Sequence, residues 1–119
     1  MLEIVSDPWK NTPLVNALQN RGVTIPIIDI RQSAANMSPA MIELEGLIIS
    51  RKIQHDGDPI MAWMVANVVA HRSGMDQLQP RKESDDKKID GVMGLLMCIR
   101  RGMLRQDGPD FAGRGLWVI

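Results

Sequence analysis

Three times within its first sixty residues, the chain sets a capping residue and a proline directly before an apolar pattern of helical spacing: Thr12-Pro13, Ser38-Pro39 and Asp58-Pro59. The side-chain oxygen of such a residue can accept from a first-turn N–H, and proline suits the first helical position, where its missing N–H is not needed. Each pair therefore predicts a helix start. A short run of a different kind precedes each one. Residues 2–6 (Leu-Glu-Ile-Val-Ser) read as a strand. It must end at Asp7-Pro8, because Pro8 cannot donate to a ladder and holds Asp7 extended. The Ile-rich residues 23–30 read as a largely buried strand, and residues 52–55 as a short third segment. Strand, helix, strand in so few residues is a βαβ unit, which crosses over right-handedly and pairs its strands in parallel. The expected fold class is α/β, with a small, mostly parallel sheet flanked by helices.

Periodicity fills in the elements. Leu14, Val15 and Leu18 share a face of the first helix, and Gly22 is placed to stop it. The second helix, behind Ser38-Pro39, carries Met41, Leu44, Leu47 and Ile48 at helical spacing and ends near Ser50. The third is apolar around most of its circumference (Ile60, Met61, Trp63, Met64, Val65), so it is expected to be well buried. Trp63 then belongs to the core, and Asn67 is a helix-end hydrogen bonder. Val68-Val69-Ala70 open a short strand, and the charged residues 72–88 read as an exposed hairpin or mobile loop. In the last helix, about 88–104, Ile89, Val92, Met93, Leu96, Ile99 and Met103 form the buried arc. Asp90 lies at its edge, and Gly91 and Gly94 leave room for a close neighbour. The tail from Arg105, with three Gly and a Pro, is expected to be loosely ordered, which puts the domain at residues 1–104.

Composition narrows the class. A chain of 119 residues holds one domain with a core, and 45% hydrophobic with 24% charged residues is ordinary for a globular protein. The longest apolar run, 92–99, is far short of a bilayer span, and no signal peptide is visible, so a bacterial or phage cytoplasmic setting is expected. Cys98 is the single cysteine, which excludes an internal disulfide framework and a cysteine-based zinc site. With 14 cationic and 14 anionic residues, the chain lacks the surplus a tight, nonspecific nucleic-acid binder needs. An enzyme touching DNA through a local patch fits the same balance. With 3% aromatics and no Tyr, there is no stacking platform for single strands, and the nine Met are core filler.

Two carboxylates stand out. Asp7 is at the carboxyl end of a parallel strand, the edge where open α/β sheets place ligands. Asp90 is an acid in the first turn of an otherwise apolar helix. Each also has a structural reading: Asp7 as a turn cap, Asp90 as a charge suited to a helix N-terminus. His55 follows a short strand and either faces the cleft or caps a turn, and His71 falls on the exposed hairpin. Arg72, Arg81, Lys82, Lys87 and Lys88 are able to guide a DNA backbone toward Asp90. Interleaved Asp76, Glu83, Asp85 and Asp86 equally suit a solvated mixed-charge loop.

Four linked motifs carry a family resemblance. Ile4-Val5-Ser6-Asp7-Pro8-Trp9 resembles the strand ending in Asp-Pro-Trp of phage large terminase subunits. Arg31-Gln32 followed by Met37-Ser38-Pro39-Ala40-Met41 is similar to the segment entering that family's next helix. The run from His55-Asp56-Gly57-Asp58-Pro59 through Trp63-Met64-Val65-Ala66-Asn67-Val68-Val69 is the most specific match. Lys88-Ile89-Asp90-Gly91 resembles the family's closing helix, and the motifs span about residues 3–104 in order. The resemblance implies the C-terminal part of an RNase H-like nuclease domain that cuts double-stranded DNA during genome packaging. It makes Asp7 and Asp90 catalytic ligands of Mg²⁺ or Mn²⁺, facing one cleft, with His55, Arg72, Lys87 and Lys88 as possible DNA contacts. Partners it implies are DNA and other terminase and portal components, with no membrane.

Departures from the family pattern shape the rest. No Gly-Lys pair is present, so the family's ATPase phosphate loop is absent, as is its first metal-binding acid on an earlier strand. Ser6 stands where an aromatic is expected. The expectation is an incomplete metal site, weak metal binding, and a homodimer through the exposed N-terminal strand. The alternative is a catalytically inactive prophage remnant that persists as an oligomeric or docking module.

Overall fold

The computed structural model describes residues 3–72 and 74–105, together with the backbone of 116–118. The βαβ unit comes first: strand β1 (Ile4–Ser6), helix α1 (Thr12–Asn20) and strand β2 (Ile27–Asp29). β1 and β2 pair in parallel with Ile4 opposite Ile27 and Ser6 opposite Asp29. Two local expectations are corrected here. Asn11, not Thr12, is the N-cap of α1. The second strand is three residues long rather than spanning 23–30, because Pro26 has no N–H to extend the ladder. Its carbonyl still accepts from Ile4 N–H at 2.9 Å.

Helix α2 (Ala34–Ile49) begins well before Ser38-Pro39 and carries Pro39 in its interior. Ser33 is the N-cap, its hydroxyl accepting from Asn36 N–H at 3.4 Å. Ser38 is buried and accepts from Leu78 N–H at 2.9 Å, a contact made forty residues away in sequence. Tertiary burial thus overrides the capping signature: Met37 and Ala40, at 0% exposure, need the helix already formed around them. Strand β3 (Ile53–His55) leads to helix α3 (Pro59–Asn67), where Asp58 caps as expected by accepting from Ile60 N–H at 2.9 Å. The backbone of strand β6 (Leu116–Val118) pairs in parallel with β3. Strands β4 (Val68–Arg72) and β5 (Leu78–Lys82) form an antiparallel hairpin. Helix α4 (Asp90–Leu104) completes the described fold. Among the described residues the strands form three two-stranded ladders, two of them parallel. The expected small sheet is thus divided rather than continuous. The tail expectation falls on residues mostly outside those described.

The core is the seam between α2 and α4, where Met37, Ala40 and Leu47 meet Val92, Leu96, Met97 and Ile99, with Ile30 at one end. The expected arc of α4 is borne out: Ile89, Val92, Leu96 and Ile99 are buried, with Met93 and Met103 packed against the cluster. Glycines at 91, 94 and 102 weaken α4 by about 1 kcal/mol each relative to alanine. Burying each large apolar side chain contributes about 1.5–3 kcal/mol, so packing, not propensity, holds this helix. Gly91 does serve close approach: a Cβ there would run into the thioether of Met64, and Met61 lies alongside. Gly94 meets nothing.

α3 is not well buried, contrary to expectation. Ile60 is 62% exposed, Val65 47% and Trp63 43%, so Trp63 is not a core residue. The reason is geometric. α3 packs chiefly on α4 through one stripe, Met61, Met64 and Asn67, and its remaining circumference has no comparable neighbour among the described residues.

One ion pair ties the two ends of the described chain. Arg101 donates to both carboxylate oxygens of Glu3, Nε to Oε2 at 2.9 Å and Nη2 to Oε1 at 3.0 Å, a bidentate fork. Arg105 adds a second cation at 3.7 Å. The Arg101 hydrogen bonds hold the Glu3 carboxyl below its usual value near 4.5. A carboxyl lowered by folding stabilises the fold above its unfolded pKa and loses that contribution as pH falls through the folded one. Denaturant midpoints of the parent should therefore drop below pH 4.5 more steeply than those of Glu3→Gln, the two converging in stronger acid. Parallel pH curves would show that the pair contributes nothing.

Candidate functional site

Asp7 follows β1 directly, and its carboxylate is locked by main-chain donors. Trp9 N–H donates to Oδ1 at 2.7 Å, closing a turn over Pro8, and Gln32 N–H donates to Oδ2 at 2.9 Å from just beyond β2. Each oxygen accepts one bond and keeps lone-pair capacity for a further partner. The turn continues through Lys10, whose φ of 57° lies in the left-handed region. Its ammonium sits 5.5 Å from the Trp9 ring centroid. Non-glycine residues held there cost free energy and cluster where geometry serves function.

The same Gln32 reaches α4: its side-chain amide stands 3.7 Å from Met97 Sδ. Met97 is seven residues after Asp90, within about 20° of two full turns, so both lie on one stripe of α4 about 10 Å apart along the axis. β1 also packs on α4. Asp90 itself is an exposed residue in the helix's first turn. Asp29, the other acid of the βαβ unit, pairs in register with Ser6. Side chains alternate along a strand, so it faces away from Asp7. It lines instead a groove of about 560 Å³ with Asn11, Thr12 and Val15.

The other candidate residues scatter. His55 is exposed, and its Nδ1 accepts from Gly57 N–H at 3.0 Å, which is the capping arrangement. Arg72 pairs with Asp76 at the hairpin tip, where both are exposed. In the ladder Arg72 stands opposite Leu78, while Val68 stands opposite Lys82. Arg72 is thus about 14 Å from the hairpin base. Lys87, Lys88, Arg81 and Lys82 gather nearer that base and Asp90. His71 is exposed on β4. Beside the base, Ser84 donates to Asp86 at 2.5 Å, and this hydrogen bond lowers the Asp86 pKa. Partial desolvation raises the pKa of the Cys98 thiol, although the residue is exposed.

The sequence profile of the terminase large subunit endonuclease domain matches residues 1–105. The chain belongs to that family. It is 39% identical over 100 residues to Protein YmfN of Escherichia coli K12, covering 82% of this chain and 22% of that protein. It is 22% identical over 107 residues to the terminase large subunit of Enterobacteria phage HK97, covering 88% of this chain and 21% of the phage protein. The crystal structure of the HK97 large terminase superposes with a TM-score of 0.74 at 20% identity, over 83% of this chain and 21% of that one. The fold is accordingly RNase H-like, and the chain spans about a fifth of the length of these relatives.

Terminase nuclease domains depend on divalent metal, and the donors here are of the right kind: hard carboxylate oxygens, as Mg²⁺ and Mn²⁺ prefer. They are few. Among the described residues no group of three or more His, Cys, Asp or Glu gathers to hold an ion. Sequence reasoning missed Gln32 as the residue linking Asp7 to α4. Its contribution is a main-chain N–H and a long-range contact, neither of which leaves a sequence signal. If the amides of Trp9 and Gln32 hold the turn, Asp7→Ala should destabilise the chain by about 1–2 kcal/mol. Asp7→Asn, which keeps one oxygen acceptor, should cost about half as much. Urea unfolding decides it, and an Asp7→Ala variant as stable as the parent would sink the assignment.

Proposed function

We propose that this chain supplies part of a metal-dependent endonuclease centre that cuts double-stranded DNA during phage genome packaging, with Asp7 and Asp90 as ligands of Mg²⁺ or Mn²⁺. The observation that carries the reading is the pinned Asp7 carboxylate, held by the main chain of Gln32, whose side chain reaches Met97 on α4. Bound ions would activate water and stabilise the leaving oxygen of a phosphodiester. Asp7 presents oxygens already oriented by two amides, so little ordering is needed on binding. Asp90 contributes an exposed carboxylate, and Lys87 and Lys88 beside it supply positive charge for a phosphate backbone. His55, through its remaining ring nitrogen, and Arg72, when released from Asp76, are further backbone contacts. DNA, other terminase subunits and the portal are the partners, within the bacterial host cytoplasm. No helix among the described residues is long and apolar enough to cross a membrane.

Among the described residues no group of three or more acids or histidines gathers, which favours weak metal binding. The 119-residue chain should bind Mn²⁺ weakly, broadening amide signals near Asp7 and Asp90 together, while nicking plasmid DNA little or not at all. Strong Mn²⁺-dependent nicking abolished by Asp90→Asn would make the chain an enzyme in its own right. Broadening spread evenly over all acidic residues would remove the metal assignment.

Assembly follows from β1. Among the described residues it pairs only with β2, which leaves its other edge with unpaired main-chain groups. Such an edge recruits a strand, and a second copy offers an identical one across a two-fold axis. Light scattering at low micromolar concentration should give a dimer for the parent and a monomer for Ile4→Lys. A monomeric parent would refute the pairing.

A further inference from the structure

α4 begins without a cap of its own. Its N-cap is Ile89, at φ −133° and ψ 16°, and no side chain there accepts from the first turn. The two residues that hold this end both come from α3. Gly91 N–H donates to Met64 Sδ at 3.3 Å, and Asn67 Nδ2 donates to the Lys88 carbonyl at 2.9 Å. Asn67 is 4% exposed, and its own carbonyl accepts from Glu83 N–H at 3.1 Å. The whole β4–β5 excursion therefore leaves from Asn67 and returns to it. A buried amide of this kind is kept because its donor is used.

We propose that Asn67, assisted by Met64, is the positioning residue for Asp90. It fixes the Lys88 carbonyl, and so the point at which the chain leaves the charged hairpin and enters α4 two residues later. The idea rests on the metal-ligand reading of Asp90 and adds how that carboxylate is set. Direction matters: the side chain must donate to a carbonyl, which an ionised aspartate cannot do. A structural role alone would be served by any side chain filling the space. A positioning role requires the hydrogen bond, because a fraying first turn carries Asp90 with it.

Amide hydrogen exchange and Mn²⁺ line broadening on the full 119-residue chain separate these possibilities, using Asn67→Ala, Asn67→Asp and Met64→Leu. Ile99→Val, a core trim about two and a half turns from Asp90, is the control. In Asn67→Ala and Asn67→Asp the Gly91 and Met93 amides should exchange roughly fivefold to tenfold faster, the factor one lost hydrogen bond represents. Those of Leu96 and Ile99 should change far less. Broadening around Asp90 should need several times more Mn²⁺ while that around Asp7 persists. Met64→Leu should give the same pattern, weaker, and carries the test should the Asn67 variants not fold. Ile99→Val should change exchange along the whole helix and leave Mn²⁺ broadening alone. Unchanged exchange and broadening at 90–93 in all α3 variants would overturn the proposal and leave the metal reading intact. Faster exchange with no Mn²⁺ effect in any protein, the parent included, would support the tie to α4 and remove the metal reading instead.

Discussion

The seam between α2 and α4 is the constraint on which the rest depends. α4 contains three glycines and has no side-chain cap, so it is a poor helix taken alone. It exists because Val92, Leu96, Met97 and Ile99 are driven out of water against Met37, Ala40 and Leu47. Once that seam forms, α4 becomes the surface against which β1 and α3 are placed.

Polar ties then set fine position where apolar contact cannot. Hydrophobic burial is non-directional and leaves a helix free to slide by a fraction of a turn. The Glu3–Arg101 fork fixes β1 against the last turns of α4, and the Asn67 amide fixes α3 against its beginning. Between these two pins, Gln32 bridges the Asp7 turn to the middle of the helix. Asp7 has a double character as a result. It closes its own turn through main-chain donors, and the same bonds orient the oxygens that remain available to a metal.

The exposed apolar residues of α3 and the open edge of β1 belong together physically. Among the described residues neither surface is covered by another element. Ile60, Trp63 and Val65 are apolar enough for a core and are not in one here. That is why hydrophobic pattern alone overstated the burial of α3: periodicity reports which faces seek cover, not whether a neighbour is present to give it.

Much was legible from local signals. The β1–α1–β2 unit, the Asp58 cap, the hairpin and the buried arc of α4 follow from proline chemistry and side-chain periodicity, which act within a few residues. What the sequence did not disclose was decided by contacts between distant segments. Ser38 appeared to be a cap, yet its hydroxyl is claimed by Leu78 N–H, so the helix starts at Ser33 instead. Gln32 acts on Asp7 through a main-chain amide, a group every residue carries, and Asn67, legible as a helix-end hydrogen bonder, gave no sign that its side chain donates to the Lys88 carbonyl 21 residues on. The Glu3–Arg101 pair joins residues 98 positions apart. Local propensity determined which segments become helix or strand, because those preferences act within a turn or two. Only the folded chain decided which donors and carboxylates meet, because that depends on how the elements pack.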